Sequence, residues 1–225
     1  MPPQTETENH FLRSLSASSV ELLLQDAVRV DLVAKQILQS AGEVPRFIYF
    51  PEGGIISFTL ALPSSGNAEF GIVGREGICC FSGVKATQPS PVVAVVQVGG
   101  SMAYRIEAAH LRAVAARHPD VQSAVVSTLY GFMTQMAITA ISNARHPLGA
   151  RLARWLLMCD DRLDRRDVPL THEFMALMLG SQRTSVTAAL HVIEGEGAIR
   201  SQRGLVQIRD RARLERIAGE AYYAP

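Results

Sequence analysis

Arg183, Thr184, Thr187, Ala188 and His191 fall on one side of a helix, while Val186, Leu190 and Ile193 fall on the other. An arginine near the start of such a helix can make paired hydrogen bonds to guanine in a major groove, and threonine can bond a base or phosphate or pack on a thymine methyl. Arg200 and Arg203 lie just downstream, in a stretch that reads as a β-hairpin turning at Arg203-Gly204. Arginines there would reach a phosphate backbone, which fixes register without reading sequence. A second candidate is Cys79-Cys80, adjacent thiols close to Arg75 and Glu76. They read either as a redox-responsive pair whose pKa a nearby cation lowers or as ordinary buried cysteines, the commoner outcome. The six histidines, His10, His110, His118, His146, His172 and His191, show no metal-ligand spacing, so no metal site and no cofactor are expected.

The elements that must position these residues are legible in turn chemistry and periodicity. Thr171 precedes the apolar run Phe174, Met175, Leu177, Met178 and suits an N-cap, with Glu173 in the first turn. Leu179-Gly180-Ser181 ends that helix, and a second begins at Gln182-Arg183. Upstream, Leu148 to Leu163 reads as an amphipathic helix with Leu152, Trp155, Leu156 and Cys159 on one face, followed by the charged loop Asp164 to Asp167. Residues 28–106 are different. Short apolar or alternating runs are broken by Pro51-Glu52-Gly53-Gly54, Pro63-Ser64-Ser65-Gly66-Asn67, Gly74-Arg75-Glu76-Gly77 and Gly99-Gly100. That punctuation predicts an antiparallel β-roll of jelly-roll type, preceded by a short helix at Ser16 to Leu24 capped by Ser16 or Ser18.

Between the two lies a helix covering Glu107 to Arg117, a break at His118-Pro119, and a long helix from Asp120. Val121, Val125, Leu129, Phe132 and Met136 recur along it as a narrow seam. The seam suits either packing against its own domain or a parallel homodimer, and the second is favoured because a helix between two domains has little of its own chain to cover. The chain is therefore expected to be α+β in three parts: the β-roll over 1–118, the long dimerisation helix over 119–144, and a C-terminal winged helix-turn-helix over 145–225.

Composition bounds the rest. The net charge of +1 hides an asymmetry: up to Asn143 there are 9 Lys+Arg against 11 Asp+Glu, and from Ala144 onward 13 against 10, every one of the 13 an arginine. No uninterrupted apolar run approaches the ~20 residues of a membrane span, the start carries no signal-peptide pattern, and three cysteines make no disulfide framework. A cytoplasmic protein with reduced thiols and no membrane association is the expectation.

Leu152-Ala153-Arg154-Trp155-Leu156-Leu157, Leu170 to Gly180, Arg183-Thr184-Ser185-Val186-Thr187 and Arg203-Gly204 together resemble the Crp/Fnr superfamily of bacterial transcriptional regulators. Tyr49-Phe50-Pro51-Glu52-Gly53 and Gly74-Arg75-Glu76-Gly77 resemble its β-roll, so the likeness covers almost the whole chain. The resemblance implies a homodimer on two-fold symmetric double-stranded DNA, with RNA polymerase as a further partner if the protein activates transcription. It implies base contacts from Arg183, Thr184 and Thr187, and phosphate contacts from Thr171, Ser181, Ser185, Arg200 and Arg203.

The same comparison narrows the signal. Nucleotide-binding members follow Gly-Glu with an Arg-Ser or Arg-Thr pair on the cyclic phosphate, whereas Gln88-Pro89-Ser90-Pro91-Val92-Val93 has no arginine. Cyclic AMP is not expected, and Arg75, Glu76, Cys79 and Cys80 are the weak candidates for an effector pocket. Too few cysteines are present for an iron–sulfur cluster, and none lies where cluster-binding relatives carry theirs. No histidine lies between Asp26 and Ile106, which argues against haem and against an enzymatic, metal-dependent cupin. The remaining alternative is a β-roll adaptor that uses its C-terminal domain for protein contacts and binds no operator.

Overall fold

Antiparallel strands dominate the first half of the chain. The computed structural model describes residues 7–62, 66–85, 88–163 and 167–222. The expected turn at Pro63-Ser64-Ser65 and loop residues Asp164-Arg165-Arg166 lie outside them. Helices α1 (His10–Arg13) and α2 (Ala17–Leu24) come first; Ser16 caps α2 by accepting the Ser19 amide at 3.3 Å. Strands β1 (Val28–Leu32), β2 (Ile37–Gln39), β3 (Phe47–Pro51), β4 (Ile55–Leu62) and β5 (Gly66–Val73) follow. After the short helix α3 (Ser82–Lys85) come β6 (Val92–Val98), β7 (Ser101–Glu107) and helix α4 (Ala108–Ala115).

Two antiparallel sheets result, in the orders β1-β7-β3 and β2-β6-β4-β5. Turn residues end each strand, and the apolar side chains between them have one dry place to go. Ile48 and Phe50 on β3, Ile55 and Ile56 on β4, Ile72 on β5 and Ala94 on β6 are all fully buried.

Helix α5 (Pro119–Arg145) runs for 27 residues. By length and composition it is long and apolar enough to cross a bilayer, a property that uninterrupted apolar runs in the sequence do not reveal. Asp120 fixes its start. The carboxylate accepts hydrogen bonds from Ser19 Oγ at 3.0 Å and from Ser16 N and Oγ at 3.1 and 2.9 Å, which hold it down to about 2.

The expected homodimer seam on α5 needs correction. Val121 is fully buried and Val125 nearly so, inside their own chain. Phe132 meets Phe58 edge-on at 5.1 Å and Phe81 at 4.9 Å between centroids. Glycine at 71 leaves room for that ring: a Cβ there would sit 2.7 Å from it. Gln135 completes the docking by accepting the Ile72 amide at 2.8 Å and donating to the Ile72 carbonyl at 3.0 Å. Three of the five seam residues, Val121, Val125 and Phe132, are therefore engaged within their own chain, while Leu129 and Met136 stay half-buried. β5 and the α3 region present apolar surface that the sequence does not assign to α5. Replacing Phe132 by Ala is expected to cost about 2–4 kcal/mol, less than a fully buried ring because Phe132 is only half-buried. Chemical denaturation measures it, and a cost within experimental noise would show that the ring cluster does not anchor the helix.

The chain forms two compact units, Met1–Ala61 with Gly71–Gln135, and Leu62–Phe70 with Met136–Pro225. The division falls inside α5 rather than at its ends, and the segment Leu62–Phe70 groups with the C-terminal unit. In that unit Trp155 Nε1 donates to Glu69 at 2.9 Å.

Candidate nucleic-acid interface

Helix α6 (Leu148–Asp160) is the platform of the C-terminal unit. Leu152, Leu156 and Cys159 are fully buried and Trp155 nearly so, the face its periodicity predicts. Beyond it lie β8 (Asp167–Val168), α7 (His172–Met178), α8 (Arg183–Gly195), β9 (Ile199–Gln202), β10 (Leu205–Ile208) and α9 (Arg211–Ala218). The small sheet has the order β8-β10-β9. Arg211 ties α9 to the end of α6 through Asp160 at 2.6 Å and Asp161 at 2.7 Å, and Tyr222 completes the group by donating to Asp161.

The turn between α7 and α8 is built as its residues require. Thr171 accepts the Phe174 amide at 3.2 Å, which leaves its hydroxyl hydrogen free to donate. At the far end Gly180 has φ +55°, where side chains are strained. Its amide reaches the Leu177 carbonyl at 3.3 Å, and the Ser181 amide reaches Ala176 at 2.9 Å. Arg151 of α6 donates to the Leu179 carbonyl, tying that turn to the platform. Val186, Leu190 and Ile193 then bury the inner face of α8 at 0–1 % exposure.

The outer face carries what the sequence places there. Arg183, Thr184, Ala188 and His191 are exposed and Thr187 is half-buried. Thr171, Ser185, Arg200 and Arg203 are exposed, and Ser181 is half-buried. The wing pairs Ile199 with Ile208 and Gln202 with Leu205, turning at Arg203-Gly204.

One organising residue, His172, is not singled out by the sequence. Its Nδ1 lies 2.9 Å from Thr187 Oγ1 on α8, and its Nε2 lies 3.2 Å from Ser201 Oγ on β9. Thr187 Oγ1 donates to the Arg183 carbonyl at 2.9 Å, so Nδ1 must be the donor to it. In the neutral ring Nε2 then accepts from Ser201. Burial, then the charges of Arg183 and His191, push the pKa of His172 down. Thr187 has spent its hydroxyl hydrogen, which leaves its methyl group and a lone pair for any external partner. No local spacing signals this clamp, because its three members lie 15 and 29 residues apart.

The weak effector candidates separate. Arg75 and Glu76 sit half-buried in the turn after β5, and Glu76 accepts the Gly74 amide at 3.0 Å. Cys79 and Cys80 are buried at 0 % and 1 % exposure, their sulfurs 3.4 Å apart. Burial pushes the Cys79 thiol well up, which favours the ordinary buried cysteines over the redox-responsive pair. Among the described residues no group of three or more His, Cys, Asp or Glu is placed to hold a metal.

Comparison with known proteins bears on both units. Residues 150–217 match the family of Crp-like helix-turn-helix domains. The chain is similar in fold to FixK2 from Bradyrhizobium japonicum, at TM-score 0.72 and 17 % identity, covering 86 % of this chain and 98 % of that one. It is similar to the c-di-GMP-responsive global regulator CLP of Xanthomonas campestris, at 0.70 and 14 %, covering 86 % and 99 %. A CRP-family transcriptional regulator from Thermus thermophilus matches at 0.69 and 23 %, covering 85 % and 96 %. No curated protein matches the chain in sequence.

Proposed function

We propose that this chain, which carries a Crp-like helix-turn-helix domain and has the fold of the Crp/Fnr regulators, is a sequence-specific DNA-binding transcriptional regulator and not an enzyme. The observation that carries the reading is the junction of α8 with the wing: His172 joins Thr187 to Ser201, which supports base contacts from α8 and phosphate contacts from the adjoining hairpin. Arg183, Thr184 and Thr187 meet bases. Thr171, Ser181, Ser185, Arg200 and Arg203 meet phosphates.

The protein acts as a homodimer on a two-fold symmetric site. Along α5, Val126, Tyr130, Met133 and Ile141 stay 60–72 % exposed, and Ala137, Ala140 and Ala144 are exposed beside them. The series 126, 130, 133, 137, 140, 144 keeps the alternating spacing of a two-stranded coiled coil. Small alanines at its C-terminal half allow close approach of a second copy. The same helix carries Gln122, Ser123, Thr134 and Asn143 as exposed polar residues, which suit a protein partner and a cytoplasmic setting better than lipid. The resemblance implies a phosphate-binding arginine in the stretch Gln88 to Val93 of a nucleotide-binding member, and that stretch has none, so the signal the β-roll reads is not cyclic AMP.

Selection of bound duplexes from a random pool, followed by mobility shift with the full chain, tests the function. A two-fold symmetric consensus is the expected result, and failure to enrich any sequence overturns the reading in favour of an adaptor. Arg203→Ala is expected to weaken all duplexes about equally and to lower the salt slope by ~1 per protomer. A change confined to one base position would move Arg203 out of the phosphate set.

A further inference from the structure

We propose that His172 is the positioning residue that locks the recognition helix to the wing, and that association with DNA is linked to uptake of a proton by its ring. The inference rests on the DNA-binding reading above and goes beyond it by assigning a pH response.

The geometry supplies the lock. A single imidazole, from the first residue of α7, bridges Thr187 in the second turn of α8 and Ser201, the third residue of β9. Ser201 is itself held from α8, since the Glu194 carboxylate accepts its amide at 2.9 Å. The wing is thus fastened to the recognition helix twice, by a carboxylate along the backbone and by His172 through a side chain. Thr187 is fastened twice as well, to His172 and to its own helix at Arg183.

The charges around the ring supply the linkage. Arg183 and His191 face it from α8, Glu194 stands behind Ser201, Glu173 is its neighbour on α7, and Arg200 is exposed on β9. In the free protein the nearest of these, with burial, favour the neutral ring. Phosphates docked on Arg200, Arg203 and Ser185 add negative charge to the same surface and reverse that balance. The clamp survives the change. An imidazolium donates from both nitrogens, and the Thr187 and Ser201 hydroxyl oxygens can both accept. The sign follows: with a free midpoint below the ordinary histidine value and a bound midpoint above the free one, affinity strengthens as pH falls between the two. Outside that window this ring contributes no slope. Each unit by which DNA raises the midpoint is worth about tenfold in affinity per protomer.

The experiment compares wild type, His172→Gln and His191→Gln, full chain, at fixed ionic strength and between about pH 5.5 and 8. The probes are a duplex enriched from the random pool and an unselected duplex. Nitrogen-detected NMR follows the His172 ring with and without DNA. The expected result is a neutral Nδ1–H ring in the free protein, a higher midpoint in the complex, and a tightening at low pH that His172→Gln loses. His191→Gln, which removes a charge opposing the protonated ring, retains the tightening with the His172 midpoints moved up. An unchanged midpoint on DNA binding overturns the linkage, and so does a pH slope that His172→Gln retains. If His172→Gln fails to fold, the NMR midpoints of wild type decide alone. Absence of DNA binding by wild type at every pH would instead bring down the DNA-binding reading, and this inference with it.

Discussion

Met133→Glu is expected to yield a monomer whose affinity for the selected symmetric duplex is ~10²–10⁴-fold weaker than wild type. Met133 is 61 % exposed at the centre of the series from Val126 to Ala144. In a parallel pair of α5 helices it would meet its own counterpart, so a glutamate there sets two carboxylates against each other in an apolar seam. The free protomer has no reason to unfold, because the residue contacts solvent when alone. That separates assembly from stability. Light scattering should report half the mass at unchanged circular dichroism. A dimer that persists with full affinity would place the interface elsewhere, and Val121, Val125 and Phe132 cannot be that place without leaving the β-roll.

Arg183→Ala carries the other large effect, about 1–3 kcal/mol per half-site, with preference lost at one base position and retained at the rest. Arg183 is exposed at the first position of α8, and its backbone carbonyl is occupied by Thr187. Only the side chain is removed, so the fold of the helix should hold. Competition between the consensus and single-base variants reads the outcome. If preference at every position survives, the recognition surface lies on another face.

The C-terminal unit was the more legible part of the sequence, for physical reasons. Thr171, Gly180 and the Val186–Leu190–Ile193 face are local signals: a cap, a left-handed turn and a 3.6-residue period each act within a few residues. The β-roll was legible as a class because its turns are punctuated by glycine and proline. What the chain order concealed was long-range. The α5 stripe of Val121, Val125 and Phe132 has the same spacing whether it faces a partner or β5, and only the tertiary location of Gly71 and Phe81 decides. His172 was visible as a residue and invisible as a clamp, because Thr187 and Ser201 reach it through folding alone. Cys79 and Cys80 left two readings open by adjacency alone, and their burial favours the ordinary one.

The pairing of Gln135 with both backbone groups of Ile72 also bears on aggregation. β5 is the outermost strand of its sheet, and an open strand edge is a template on which other chains can extend. Lysines or prolines often blunt such edges, but Gly71-Ile72-Val73 has neither. A side-chain amide from α5 occupies the hydrogen-bonding positions instead. Any expressed fragment of the β-roll that stops short of Gln135 would uncover them, leaving an apolar edge competent for cross-chain pairing and aggregation.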